Sequence, residues 1–573
     1  MQFFCSSTVK VRQIRGLHGP SILNMGTFKT IIPRIPYYID IDHMIGKLRM
    51  MFLKISKESM LYNASVLSAS GLVLQLIGFV YRIYLSRMAG AEGLGVYRLV
   101  FPVYSVIMAA TLTGLKLAVT NVSAAFKSRS DVRQIRLLIK SSVFIFSLIF
   151  FLVATPVGIF SKFISNYVIF EPRTTVALVI SLFCIFFNGF EGIFESLFLG
   201  IGKTNYTAIS NLIEQIAQMF IVLLLLYTCG NPANAGLTAA LIMLGMTLSE
   251  FPVLIWLTSV YRYQISSKCE GVIKRSKNMS KKLFSIAAPV SVTEVATNAI
   301  SSASTVLLPT RLVAAGMTNS QAISTLGVIS GMAMPLITFP MVLIRSMSSA
   351  LLTNISQSKA AENHQDIRRK IRKSFQATGL IALPVTGILI PIIGPFSRIL
   401  YGQDLHLLYV VMLSLGVIFT YYEMISVSIL NALGLQNKCM VNIIAGEGIQ
   451  LVLTYILAAI PALNICGYII GMIVSSTVVM ALNIFLIRRL TNTAPSFRQC
   501  FLKPGILSIF LSLVSGLSYM YFRSVFSSEL FAIVISFVVS LIVYVSTFPL
   551  MGIHPIRYYR TLIPSGHSSG RHA

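Results

Sequence analysis

The sequence predicts an all-α polytopic membrane protein. About fourteen transmembrane helices form two parallel six-helix repeats, one per lobe, followed by two further C-terminal helices. Three observations predict this. The 573 residues are 55% hydrophobic and only 11% charged, with a mean hydropathy of +0.79, more apolar surface than a soluble protein can hide. From about residue 60 onward, apolar runs recur, most of them near the ~20 residues a helix needs to cross a bilayer. The second half of the chain also echoes the first.

The echo is specific. Leu94-Gly95-Val96 opens a stretch with Pro102 that closes on Thr120-Asn121-Val122-Ser123; Leu326-Gly327-Val328 opens one with Pro335 that closes on Thr353-Asn354-Ile355-Ser356. From proline to threonine is 18 residues in both. Further on, Glu191, Ser196, Gly202 and Asn205 recur as Glu423, Ser428, Gly434 and Asn437 at an offset of 232. Two separate matches at nearly one offset indicate a duplicated chain.

Residues 1–57 carry nine Lys and Arg side chains from Lys10 to Lys57, with Pro20, Pro33 and Pro36 between them. They contain neither a spanning run nor the apolar core and small-residue cleavage site of a signal peptide. They are expected to be a basic, disordered extension. The predicted helices lie near 61–86, 94–126, 136–160, 174–200, 205–228 and 234–261 in a first lobe, 58–262. After a basic linker, 263–282, those of the second lobe, 283–490, lie near 283–309, 322–356, 373–395, 405–433, 438–459 and 464–487. Two more, near 502–522 and 530–551, fill 502–552, and 553–573 is a tail.

Loop charge orients these helices. Lys127, Arg129, Arg133 and Arg136 separate the second from the third, Arg262 to Lys282 the sixth from the seventh, Lys359 to Lys373 the eighth from the ninth, and Arg488 to Lys503 the twelfth from the thirteenth. The alternate loops are nearly bare. Lys and Arg collect on the cytoplasmic side of spanning helices, so both termini are expected there, in the cell membrane. This also accounts for the net charge of +28 without a nucleic-acid partner. An even number of helices per repeat makes the repeats parallel, an arrangement used by transporters around a central path.

Enzymatic readings find little support. Gly202-Lys203-Thr204 resembles the end of a phosphate loop, but position 197 is Leu where that loop needs Gly. The seven cysteines are scattered without a Cys-x-x-Cys, so no metal site, disulfide framework or cofactor is expected. Ionisable residues inside the spans say more, because each costs roughly 2.5–3.5 kcal/mol at mid-bilayer and usually faces an aqueous cavity. Arg82 and Arg87 in the first helix, Arg98 and Lys116 in the second, Arg311 at the end of the seventh and Arg345 in the eighth are candidate anion-binding residues, at two levels of one cavity. The competing expectation is that those near helix ends snorkel to lipid headgroups. Glu294, with Asn298 one turn on, and Glu423 are candidate sites for a coupling cation, Na+ or H+. Glu191, Glu195, Glu214, Glu250 and Glu447 are the other acids within predicted spans.

Several runs resemble a known family. Gly78-Phe79-Val80-Tyr81-Arg82, Gly90 to Tyr97 (GAEGLGVY) and Phe101-Pro102-Val103-Tyr104 are similar to the stage V sporulation protein B family, as are Thr310 to Gly316 and Gly331 to Leu336. The resemblance covers about 60–550 and departs from the pattern at the extension, at Arg98 and at Ser304. It implies fourteen helices in two lobes, membership with lipid II flippases and polysaccharide exporters in the superfamily of multidrug extruders, and export of a lipid-linked precursor during spore cortex formation. The expected function is therefore flipping of an undecaprenyl-pyrophosphate-linked saccharide, the peptidoglycan precursor lipid II. The alternatives are a cation-coupled multidrug antiporter of the same fold and a non-transporting scaffold for cell-wall enzymes.

Overall fold

In the computed structural model, which describes residues 60–127, 132–231, 234–264, 277–402 and 405–547, the chain is helical from Met60 to Met108 with one break, at Gly90. The extension 1–57, most of the linker 263–282 and the tail 553–573 lie outside the described residues. Gly90 has φ 69° and ψ 170°, a conformation open to glycine and costly for other residues. The apolar stretch Val73–Ala125 has 53 residues, ~80 Å as one helix, far more than a bilayer's ~30 Å of hydrocarbon. The break divides it into α1, 60–89, and α2, 91–127; the predicted loop between them shrinks to a single residue. A π turn at Ala109–Thr113 interrupts α2.

The remaining helices of the first repeat are α3 (Val132–Ile159), α4 (Thr175–Gly200), α5 (Thr204–Cys229) and α6 (Ala235–Gln264). The second repeat holds α7 (Lys277–Ala314), α8 in two pieces (Asn319–Ile337 and Met341–Ala360), α9 (His364–Tyr401), α10 (Leu407–Ala432), α11 (Gln436–Leu457) and α12 (Ile465–Thr491); α13 (Lys503–Val525) and α14 (Glu529–Ser546) follow. Among the described residues thirteen stretches are long and apolar enough to span, and since the first contains both α1 and α2 the expected fourteen helices are present. Two expectations need correction. The eighth helix, predicted continuous over 322–356, is broken: Asn319–Ile337 carries a π turn at Val328–Ala333, and Met341–Ala360 starts anew after Pro340. Pro335 and Pro340 cannot donate to the helix ladder, which explains the interruption. The ninth helix, predicted over 373–395, starts at His364, where Asn363 caps it by accepting from the Asp366 N–H.

The duplication is visible in local geometry. Gly202 and Gly434 follow α4 and α10 with φ 74° and 76°. Lys203 N donates to Phe198 O at 2.8 Å, and Leu435 N to Leu430 O at 2.9 Å, so the same left-handed glycine cap closes both helices. Packing repeats as well. In the first six helices α4 and α5 pack on α6, and α1 on α5; in the second six α10 and α11 pack on α12, and α7 on α11. α13 packs along α9, where Ser508 Oγ donates to Leu383 O (2.7 Å) and Ser515 Oγ to Ile388 O (2.8 Å), and α14 packs on α13.

The lobes meet along α2. Near the bare-loop end its first turns cross the start of α8; toward the basic-loop end Gly114 lies against Ala287 O and Ser291 Oγ of α7, leaving no room for a Cβ. The bare end is also tied by polar contacts. Arg173 pairs with Glu171 (2.6 Å) and Glu92 (2.8 Å), and Asn319 at the start of α8 donates to Glu171 Oε2 (3.0 Å).

Candidate functional site

The α1–α2 corner brings two short basic runs together. Arg82 lies two turns before Gly90 and Arg98 two turns after it, so both return to similar depth. They line a cavity of about 240 Å³ with Tyr81 and Leu85 of α1, Tyr97 and Phe101 of α2, Gln215 and Gln218 of α5, Met246 of α6, and Gly331 of α8. Its wall is therefore built mainly by the first lobe and completed by the second. Arg98 stacks over Phe101, 5.6 Å from the ring centre, while Tyr97 Oη meets Met246 Sδ at 3.3 Å. Arg345, on the second piece of α8, lies within electrostatic reach of Arg82, as does Arg98. Two of the predicted cations, from α1 and α2, thus line one cavity, and a third, from α8, lies near enough to act on Arg82.

Among the described residues no carboxylate lines this cavity. Arg98 Nε and the hydroxyls of Tyr81 and Tyr401 have no hydrogen-bond partner among the described residues, and buried donors normally find one. A phosphate or carboxylate oxygen would supply the missing acceptor, and the planar guanidinium fork suits it.

The other predicted basic residues lie elsewhere. Arg87 donates from Nε to Leu400 O at 2.5 Å and from Nη2 to Ile399 O, and so caps the last carbonyls of α9 rather than lining the cavity. Arg311 donates to Tyr455 O (3.0 Å) and stacks on the Tyr455 ring at 4.2 Å, fastening α7 to α11. Lys116 pairs with Glu195 at 3.2 Å. Asn298, one turn after Glu294, donates from Nδ2 to the backbone O of Glu294 (2.8 Å). Glu423 faces Ser476 and Glu447.

Sequence reasoning named the acids of the first lobe singly and missed that they cluster. Glu191 and Glu195 of α4, Glu214 of α5 and Glu250 of α6 surround Lys116. Asn188 Nδ2 donates to Glu250 Oε1 at 3.2 Å, and Cys184 Sγ lies 3.9 Å from the same oxygen. The repeat carries the signal: Glu191 corresponds to Glu423 at an offset of 232, and, with the one-residue slip already seen between Pro102 and Pro335, Glu214 to Glu447 and Glu250 to Asn483 at 233. In the second lobe Asn442 donates to Asn483 (2.8 Å) and Asn483 to Ser426 (3.0 Å). Each lobe therefore holds a polar core, with four carboxyls and Lys116 in the first and Glu423 and Glu447 together with amides and hydroxyls in the second.

Two duplicated six-helix lobes, with a basic cavity lined mainly by the first and completed by the second, define a membrane transporter fold. The chain belongs to the polysaccharide biosynthesis protein family, whose model matches residues 60–359, more than half of its length. It is 23% identical to stage V sporulation protein B of Bacillus subtilis over 75% of this chain and 83% of that one. It is 22% identical to lipid II flippase MurJ of the same organism over 69% of this chain and 77% of that one. Among solved structures, lipid II flippase MurJ in an inward closed conformation superposes with a TM-score of 0.61 at 14% identity, covering 85% of this chain and 98% of that one. The expected fold and family resemblance are both borne out, and the lipid II relative is by its name a flippase.

Proposed function

We propose that this protein flips a lipid-linked saccharide of the undecaprenyl-pyrophosphate class, the peptidoglycan precursor lipid II, across the cytoplasmic membrane during spore cortex synthesis. Both termini lie in the cytoplasm, and the lobes rock about the cavity. One observation carries the proposal: Arg82 and Arg98 line a cavity to which no carboxylate among the described residues contributes, with Arg345 within electrostatic reach of Arg82. A pyrophosphate is prohibitively costly to move through hydrocarbon unaided, and fixed guanidinium groups lower that cost by replacing its water with charge-assisted hydrogen bonds. The lipid tail stays in the bilayer while only the head crosses. An antiporter for cationic drugs would need carboxylates in the same wall. The names of the sporulation and lipid II relatives agree with an anionic cell-wall cargo.

The test is head-group translocation in proteoliposomes, with labelled lipid II and a lipid-linked saccharide lacking the peptide. Transbilayer movement by the wild type that Arg82→Ala and Arg345→Ala abolish supports the proposal. Movement by both alanine variants at the wild-type rate refutes the arginine cavity, and uptake of cationic dyes in its place favours the antiporter.

A further inference from the structure

We infer that the connection between α3 and α4, residues 160–174, seats an aromatic face in the bilayer surface at the bare end and carries a latch that joins the two lobes there. The first observation is a strained residue. Phe170 has φ 59°, in the left-handed region where a bulky side chain is an outlier. The repeat offset of 232, which also relates the first residues of α4 and α10, places Phe170 on Gly402, with φ 69°. Both copies make the same turn, but the first makes it with an aromatic residue. Strain of this kind persists only where the surroundings enforce it, and it gathers at functional sites. Phe170 is 50% exposed, so packing in the core is not what the ring is for.

The rest of the segment shows what the ring meets. Where α9 runs on as one helix to Tyr401, the first copy turns aside into a short helix at Ser161–Phe163 and a π turn at Ile164–Val168. Phe160, Phe163, Tyr167 and Phe170 are exposed, at helical spacing, while Ser161, Ser165 and Ile169 are buried. A segment facing water would turn its serines out and its rings in; this one is inverted, as suits contact with lipid. The exposed stripe continues the outward face of α3, Leu148, Phe151, Leu152 and Ile159, from the point where that span ends. Aromatic rings at the end of a span belong at the headgroup level. Lys162 is the one charged residue from Phe160 to Phe170, and its long stem lets it reach the phosphates.

The latch begins at the next residue. Glu171 is 2% exposed. Its Oε1 accepts from Arg173 Nε (2.6 Å) and its Oε2 from Asn319 Nδ2 (3.0 Å), at the start of α8 in the second lobe. Arg173 Nη1 also donates to Glu92 Oε1 (2.8 Å) at the α1–α2 corner. Behind it stands Gly236 at the start of α6, where a Cβ would lie 3.1 Å from Arg173 O. One buried carboxylate thus joins the lipid-facing segment, the corner and the second lobe. The second copy has Leu405 at the place of Arg173 and so lacks the guanidinium. Parting of the lobes at the bare end pulls Asn319 off Glu171, and the seated rings hold Glu171 where Asn319 meets it. That this is the outer surface rests on the proposed topology; the seat and the latch do not depend on the cargo.

The test uses the full chain in lipid nanodiscs without cargo. Trp256 is the single tryptophan, and its Nε1 has no hydrogen-bond partner among the described residues, so Trp256→Phe provides a background for Tyr167→Trp. Phospholipids brominated high on the acyl chain should quench the new indole more strongly than those brominated near the chain end. Absence of quenching, or stronger quenching by the deep bromines, overturns the interfacial seat. Spin labels at Cys229 and at Ala462→Cys, in bare-end loops of the two lobes, read the latch once Cys5, Cys269 and Cys466 are changed to Ser. Asn319→Ala and Phe170→Gly should each add a population at longer distance that the otherwise wild-type chain lacks. Phe170→Gly is the sharper variant, because it relieves the backbone while removing only the ring. An unchanged distribution in Asn319→Ala overturns the latch, and one in Phe170→Gly overturns its link to the bilayer.

Discussion

Gly95 and Gly327 hold equivalent places in the two repeats, and they lie against each other where the lobes cross. A Cβ on Gly327 would stand 2.9 Å from Gly95 N and overlap Ala91 O; one on Gly95 would overlap Ile323 O. The Leu-Gly-Val signature that reveals the duplication is thus also the contact between its two copies. Backbones approach this closely only where neither residue carries a side chain.

Valine at either glycine should force α2 and α8 apart at the bare end. Overpacking of this kind costs about 1–3 kcal/mol, enough to shift a balance between two lobe arrangements. Spin labels on the bare-end loops of the two lobes should show a longer mean distance in Gly327→Val than in wild type. An unchanged distance would mean that this crossing does not hold the bare end closed.

The arginines at the cavity should matter by geometry as well as charge. A charge-assisted hydrogen bond contributes about 1.5–3 kcal/mol, so Arg82→Ala or Arg98→Ala should weaken binding of a pyrophosphate-bearing lipid by roughly ten- to 150-fold. Lysine at these positions should recover only part of it, because one ammonium cannot reproduce the two parallel bonds. Isothermal titration with a soluble polyprenyl pyrophosphate measures this directly.

Arg311 should behave as a structural residue. Loss of its hydrogen bond to Tyr455 O and its stacking on that ring costs about 1–2 kcal/mol. Arg311→Ala should lower the melting temperature in detergent while leaving pyrophosphate affinity within about twofold. A selective loss of affinity with normal stability would return Arg311 to the cavity.

Cysteine labelling tests the orientation. Cys229, exposed at the end of α5, should react with an impermeant maleimide added outside cells. Cys500 is fully buried and should resist the reagent from either side until the protein unfolds. Labelling of Cys229 only after the membrane is opened would invert the proposed topology.

Much of the fold was legible in the sequence because its causes are local or periodic. Apolar runs of spanning length define helices whatever they pack against, alternate basic loops order them, and the 232-residue offset exposes the duplication. The glycines at 90, 202 and 434 mark breaks and caps because their backbone conformation is costly for any other residue. The roles of individual charges were a different matter. Arg82, Arg87 and Arg311 are alike as sequence: long cations near helix ends. One faces a cavity, one caps a neighbouring helix and one stacks on a tyrosine, since each outcome depends on which helix lies within reach of a flexible side chain. The acidic cluster shows the same limit. Asn188 and Glu250 are 62 positions apart, and no spacing rule joins them; only the packing of α4 on α6 brings the two side chains together.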